Sequence, residues 1–288
     1  MKTTVGNEPN IVLNPSGSST LESLVGDVNG FRNERWKTLP GKYHAEINSL
    51  PKIRILDVWE EIDCGLVLAP YARMEPSTRE VYETRIIVNN PRHGYLNPDR
   101  ARENVQSGSV LVLEQSELWS QHLSSYVSAL RNEFSASVTG TLVLTGTSAE
   151  QLSINDIIRA ERGEHLFIIV LEGNTEVNIG KFSSEEPAPG SLRSLIGEGE
   201  LVYVPANSPV LLVPQTSSLI LVIRILEPSV SEIAELVLAM FLQESAPEIA
   251  GSHHLMTMPK KIAWMRTNLP PFLHTISHDQ LIDSLRGN

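Results

Sequence analysis

The chain has 288 residues, 41% hydrophobic and 20% charged, with a formal net charge of -11 and one cysteine, Cys64. At roughly 150 residues per domain this allows one large domain or two small ones, with enough apolar residues for a packed core. The acidic balance excludes a nucleic-acid surface, which needs a basic face. One cysteine excludes a disulfide framework and a cysteine zinc site, and it fits a reducing compartment. No run approaches the ~20 apolar residues of a membrane helix; Leu219 to Leu226 is too short and holds Arg224. No signal peptide is expected at the amino terminus, so a soluble, cytoplasmic protein is the default.

Residues 1–20 are rich in Asn, Pro, Ser, Thr and Gly and read as a flexible lead-in. Strands are predicted at Glu83–Val88, Ser109–Glu114, Ser137–Thr145, His165–Gly173, Thr175–Gly180, Glu200–Val204, Val210–Val213 and Ser218–Leu226, from short runs rich in β-branched residues. The Gly173-Asn174 pair between two of them is a hairpin signal. Helices are predicted over Ser116–Phe134, over Ser229–Gln243 behind a Ser229/Glu232 capping box, and over Ser277–Leu285 behind a Ser-His-Asp-Gln capping-box candidate. Polar breaks fall at Lys181–Ser194 and Gln243–Ser252. Many short strands with turn residues between them predict a mainly β, α+β protein built on an antiparallel sandwich or barrel.

These elements in this order resemble the JmjC-type cupin oxygenases, in the branch that includes the bacterial ribosomal oxygenases. Phe31, Trp36 and Pro40 look like that branch's opening motif. SGSVLVLEQSELW before a long helix, ASVTGTLVLT, EHLFIIVLEG with Phe167 and Gly173 matching, and GELVYVPANSPV follow in the family's sequence. The resemblance covers roughly residues 30–227 and implies a double-stranded β-helix. It also implies three segments: a flexible 1–20, a cupin domain over 21–227, and a helical tail over 228–288 that dimerises or binds a partner.

The family holds Fe(II) with a His-x-Asp pair on one strand and a distant His. Such ligation leaves positions open for oxygen and 2-oxoglutarate, and the i, i+2 spacing aims both side chains into the barrel. An ungapped match puts Ala160 and Arg162 at the pair, and a gapped one puts Asn155 and Ile157 there. The distant His falls on Val210, and a further His on the last strand falls on Ile220. The basic residue expected to anchor the co-substrate falls near Thr175 or Glu176. The resemblance therefore carries the scaffold and loses the metal ligands. Val210, Ile220, Ala160, Arg162, Thr175 and Tyr203 are expected to line the pocket, and no metal is assigned.

The best candidates for a replacement site are Glu161, Glu164 and His165, although Glu164 and His165 are adjacent and point to opposite faces of a regular strand. The plainer reading is a solvated approach to the strand. His253 and His254 read as surface histidines, His122 as a core histidine and Cys64 as an inert buried thiol; His93 is placed in a loop. No nucleophile motif and no phosphate-binding loop are present.

Residues 251–288 hold Lys260, Lys261, Arg266 and Arg286 against Asp279 and Asp283, a net +2, which leaves -13 for the rest. They also hold Met256, Met258 and Met265, three of the six methionines, with Trp264 among them: an adaptable apolar surface for a partner. A homodimer through the helical tail is expected, against the alternative that the tail folds back on its own barrel.

Three readings follow. The first is a non-catalytic cupin that binds a protein or peptide, with no cofactor. The second is an Fe(II)/2-oxoglutarate oxygenase that hydroxylates a protein or peptide. The third is a metal-independent cupin enzyme or small-molecule sensor. The missing ligands favour the first.

Overall fold

The computed structural model describes residues 19–65, 67–68, 71–76, 82–87, 90–180, 182–183, 186–187, 190–249, 256–277 and 280–281. The lead-in up to residue 18, Val88, the His253-His254 pair and most of the segment after Ser277 lie outside the described residues. The chain divides into two compact units. One comprises residues 1–133 and 138–224, the other residues 134–137 and 225–288.

The first unit opens with helices α1 (Thr20–Val25) and α2 (Val28–Gly30), a π-helical turn at Phe31–Arg35 and strand β1 (Gly41–His44). Then come α3 (Ile55–Asp63), β2 (Ala72–Glu75), β3 (Tyr82–Ile87), β4 (Asn90–Leu96), α4 (Pro98–Gln106) and β5 (Val110–Leu113). After α5 (Gln121–Phe134) the chain forms β6 (Ser137–Thr145), β7 (Leu152–Ser153), α6 (Ile154–Ile157), β8 (His165–Glu172) and β9 (Asn174–Ile179). Next are β10 (Phe182–Ser183), β11 (Glu186–Pro187), β12 (Leu192–Gly197), β13 (Glu200–Val204), β14 (Val210–Pro214) and β15 (Ser218–Leu226).

Two sheets make the barrel. The larger has the order β1-β13-β8-β15-β6-β5-β2, and the smaller β12-β9-β14-β7. The pairs β1–β13, β13–β8, β5–β6, β9–β12 and β9–β14 are antiparallel. Alternate residues fill the space between the sheets. Val110, Val112, Val143, Leu166, Ile168, Val170, Val202, Val204, Ile220 and Val222 from the large sheet meet Val177, Ile179, Ile196, Val210 and Leu212 from the small one, with Ile154, Ile157 and Ile158 closing the side.

The run His165–Leu171 is apolar on both faces for a physical reason. Its outer residues, Phe167 among them, are buried too, as in any strand covered on both sides. Phe31 and Tyr203 pack on Phe167 with ring centroids 5.7 and 5.4 Å away. The β8–β9 hairpin turns at Gly173 with φ 88°, where a Cβ would collide with the Ser217 carbonyl oxygen, so only glycine fits.

The second unit contains α7 (Val230–Ile249) and α8 (Met258–Thr275). The α7 capping box is formed: the Ser229 N–H donates to Glu232 Oε2 at 2.7 Å, and the Glu232 N–H donates to Ser229 Oγ at 3.2 Å. The Ser277/Gln280 box is formed as well, at 2.8 and 3.2 Å. Phe241, 2% exposed, packs between Trp264 and Phe272 with centroids 5.1 and 5.4 Å away.

Two expectations are corrected. His122 is exposed, because α5 buries Leu123, Tyr126, Val127 and Leu130 and that stripe turns His122 outward. Cys64 is exposed, because Ile55–Asp63 is an amphipathic helix burying Val58 and Ile62, and Cys64 follows its last turn instead of sitting in a strand.

Candidate functional site

The barrel has two ends. At one, β13 gives way to β14 and β8 begins; the family resemblance places the metal here. Strand alternation continues the inner rows to this end. Ile220 and Val222 lead to Arg224 on β15, Val110 and Val112 lead to Glu114 after β5, and Glu164 precedes Leu166 and Ile168. Every one of these rows ends in a charge.

The charges form a chain across the sheet. Glu164, 8% exposed, accepts two hydrogen bonds from Arg224, Nη2 to Oε1 at 2.8 Å and Nε to Oε2 at 3.1 Å. Arg224 Nη1 lies 3.7 Å from Glu114 Oε2. Arg73 Nη2 donates to Glu114 Oε1 at 2.6 Å and to the Ile157 carbonyl at 2.5 Å, and its Nη1 donates to Glu75 at 2.5 Å. The Thr141 hydroxyl donates to Glu114 Oε2 at 3.2 Å. Two guanidinium groups are thus shared among three carboxylates in a partly buried setting, where unpaired charges would be costly at Arg73 and Glu164.

β7 pairs with β14, and Asn155 Oδ1 accepts the Val210 N–H at 3.0 Å. Asn155 and Ile157 lie in helix α6, not on a strand, so they do not share a face as a His-x-Asp pair on a strand would. Ala160 packs against the edge of the inner cluster. Arg162, expected on the pocket wall, is corrected: it is exposed in the turn before β8. Val210 and Ile220 are fully enclosed members of the aliphatic cluster. Thr175 is buried at the opposite end, where β9 meets Pro214, and its Oγ1 has no hydrogen-bond partner. The neighbouring Glu176 pairs with Arg193 at 2.7 Å.

Tyr203 is also corrected. It alternates with Val202 and Val204, so it lies on the outer face of β13 and not on the pocket wall. There it joins Phe31, Trp36, Tyr43 and Phe167; burial pushes the Tyr43 phenol above its usual value. The Phe31 and Trp36 motif thus docks the amino-terminal helices onto the large sheet. His165 belongs to this outer face as well. Its Nδ1 accepts the Ala206 N–H at 3.2 Å and lies 2.8 Å from the Tyr203 hydroxyl, which itself accepts the Lys37 N–H at 2.8 Å.

Glu161, Glu164 and His165 therefore do not converge. Glu161 is exposed, Glu164 faces inward onto Arg224, and His165 faces outward onto Tyr203. No group of three or more His, Cys, Asp or Glu side chains suited to a metal stands together among the described residues. On the resemblance, the ligand positions fall on an amide, Asn155, and on the aliphatic Ile157 and Val210, and guanidinium groups hold the nearby carboxylates; these described residues do not fit an iron ion.

Sequence reasoning missed Arg73, Glu114 and Thr141. The signal for the network was Arg224, a lone cation inside the apolar run Leu219–Leu226, and Glu114 at the end of a buried strand.

In the second unit, Met258 and Met265 are exposed, Met256 is half-buried, and Trp264 is half-buried against Phe241.

No protein-family model matches the sequence, and no curated protein sequence does either. The fold, however, is shared with solved structures, and it is the JmjC-type cupin fold. Among these structures is YcfD, a ribosomal oxygenase from Escherichia coli. The chain aligns with YcfD at a TM-score of 0.53 and 11% identity, over 87% of this chain and 67% of that one. YcfD in complex with cobalt and succinic acid aligns at 0.52 and 11%, over 88% and 67%. A further YcfD structure aligns at 0.52 and 12%, over 90% and 70%. No helix among the described residues is long and apolar enough to cross a membrane.

Proposed function

We propose that this protein is a non-catalytic member of the JmjC-type cupin fold that works by binding a protein or peptide. The observation that carries the reading is the barrel mouth. On the resemblance the ligand positions fall on Asn155, Ile157 and Val210, and the Arg73–Glu114–Arg224–Glu164 network occupies the adjoining space. Oxygen activation by iron needs open coordination positions beside fixed imidazole and carboxylate donors, and this constellation supplies neither. A cytoplasmic setting and a homodimer belong to the same reading. The exposed Leu238 and Leu242 on α7, and Met258, Ile262 and Met265 on α8, favour a partner on the helical tail.

The competing reading is an Fe(II)/2-oxoglutarate oxygenase acting on a protein or peptide. Its support is the shared fold with YcfD, which has been solved with cobalt and 2-oxoglutarate. Metal analysis of protein purified without chelator, followed by titration with Fe(II) and 2-oxoglutarate, separates the two. The non-catalytic reading expects no stoichiometric iron and no succinate above background. One iron per chain with 2-oxoglutarate turnover would overturn it.

A further inference from the structure

We infer that the end of the barrel opposite the ion network carries a separate binding site for a small carboxylic acid bearing a flat apolar ring. The inference is independent of how the barrel mouth is read. A cavity of about 380 Å³ lies where α3, the end of α4, the end of β6 and the turn before β15 meet. That volume is at the lower end of the range for small-molecule sites.

The walls are held from several directions. The N–H of Ile55, at the start of α3, donates to Glu172 Oε2 at 2.8 Å, which ties this helix to the end of β8. α4 approaches the end of β6 so closely that a Cβ on Gly146 would fall on the Val105 carbonyl oxygen. The Arg102 guanidinium lies 4.8 Å from the centroid of the Trp59 ring, and its Nη2 pairs with Asp63 at 2.5 Å. Indole and guanidinium therefore fix one another.

The chemistry of the lining selects the ligand class. Ile55, Trp59, Val105 and Leu144 offer a flat indole and aliphatic surface for a ring. Among the described residues of the lining Arg102 is the only charged one, and Gln106, Thr145, Thr147 and Ser217 are the polar ones. A guanidinium has five N–H donors in a fork that matches a carboxylate, and Asp63 engages it through Nη2. The guanidinium already faces Asp63 at 2.5 Å and the more exposed Asp99 at 4.0 Å, so the ligand gains from its remaining N–H donors and carries no more than one negative charge; a dianion would be repelled.

Calorimetry on the full chain with 2-naphthoate and its uncharged isostere 2-naphthamide tests this. The acid is expected to bind one equivalent per chain, at least tenfold tighter than the amide. Ser217→Trp, which fills the cavity while leaving the Arg102 side chain in the sequence, is expected to abolish binding of both. Arg102→Gln is expected to bring the acid down to the level of the amide. The site is overturned if neither probe binds, or if Ser217→Trp leaves affinity unchanged. The ligand class is overturned if acid and amide bind the wild-type chain equally. Should Arg102→Gln fail to fold, Ser217→Trp still judges the place and the acid-to-amide ratio the chemistry.

Discussion

The barrel and the helical tail treat apolar residues in opposite ways. In the barrel every member of the inner cluster is less than a tenth exposed. In the tail, Met258 is 68% exposed and Leu242 53%, while among the described residues beyond 226 only Val237 and Phe241 are buried hydrophobics. The difference shows where binding energy is available. The inner cluster itself leaves no apolar surface free, whereas apolar side chains spaced along α7 and α8 are exposed.

The sharpest way to break the comparison is to open the barrel mouth. Arg224→Ala leaves Glu164 buried without its bidentate partner. Loss of ~3–5 kcal/mol is expected, because an uncompensated buried carboxylate remains. Urea unfolding monitored by circular dichroism measures it. The double variant Arg224→Met with Glu164→Leu should recover most of the loss, since apolar replacement of a whole buried pair is often neutral. If Arg224→Ala is nearly silent, the mouth is wet and the argument for a closed barrel fails.

A smaller effect is expected from trimming the floor. Ile220 is completely enclosed, so Ile220→Val should cost about 0.5–1.5 kcal/mol, with no change in solution mass. Against this stands the tail. Ile262→Asp, at a position 45% exposed, should change monomer stability by less than ~0.5 kcal/mol yet halve the mass read by light scattering at micromolar concentration. A wild-type chain that is already monomeric removes the homodimer.

Much of the barrel was legible because strand signals are local. The runs Ser137–Thr145, Glu200–Val204 and Ser218–Leu226 match the observed strands residue for residue, since β-branched alternation and bounding turns mark a strand without knowledge of its neighbours. That Val210 falls at the family's distant-histidine position came from the resemblance alone. The charge network at the barrel mouth was not legible. Arg73, Glu114, Thr141 and Arg224 are far apart in sequence and meet only through the strand order β15-β6-β5-β2, which no periodicity encodes. Helix α8 was missed because Pro270 and Pro271 lie inside it, and proline argues against a helix interior. Tyr203 was assigned to the wrong face because burial alone, without parity along β13, does not tell inside from outside.

The mildest prediction concerns acid. Hydrogen bonds from Arg193 and Asn178 hold the Glu176 carboxyl below the usual carboxylate range. A carboxylate depressed in the folded state stabilises fully above its unfolded pKa, about 4.3 for Glu, and that contribution fades as pH falls through the lower folded value. The wild-type chain should therefore lose more stability than Glu176→Gln between about pH 5 and pH 3. The gap between them at neutral pH should be under ~1 kcal/mol because Arg193 is largely exposed, and added salt should shrink it further. Since Glu176 lies on the small sheet, away from the Arg73–Glu114–Arg224–Glu164 network, its removal should leave the Arg224→Ala loss unchanged and additive. A non-additive pair would mean that the two ends of the barrel are coupled, and the mouth would then have to be read as one part of a larger cooperative charge system.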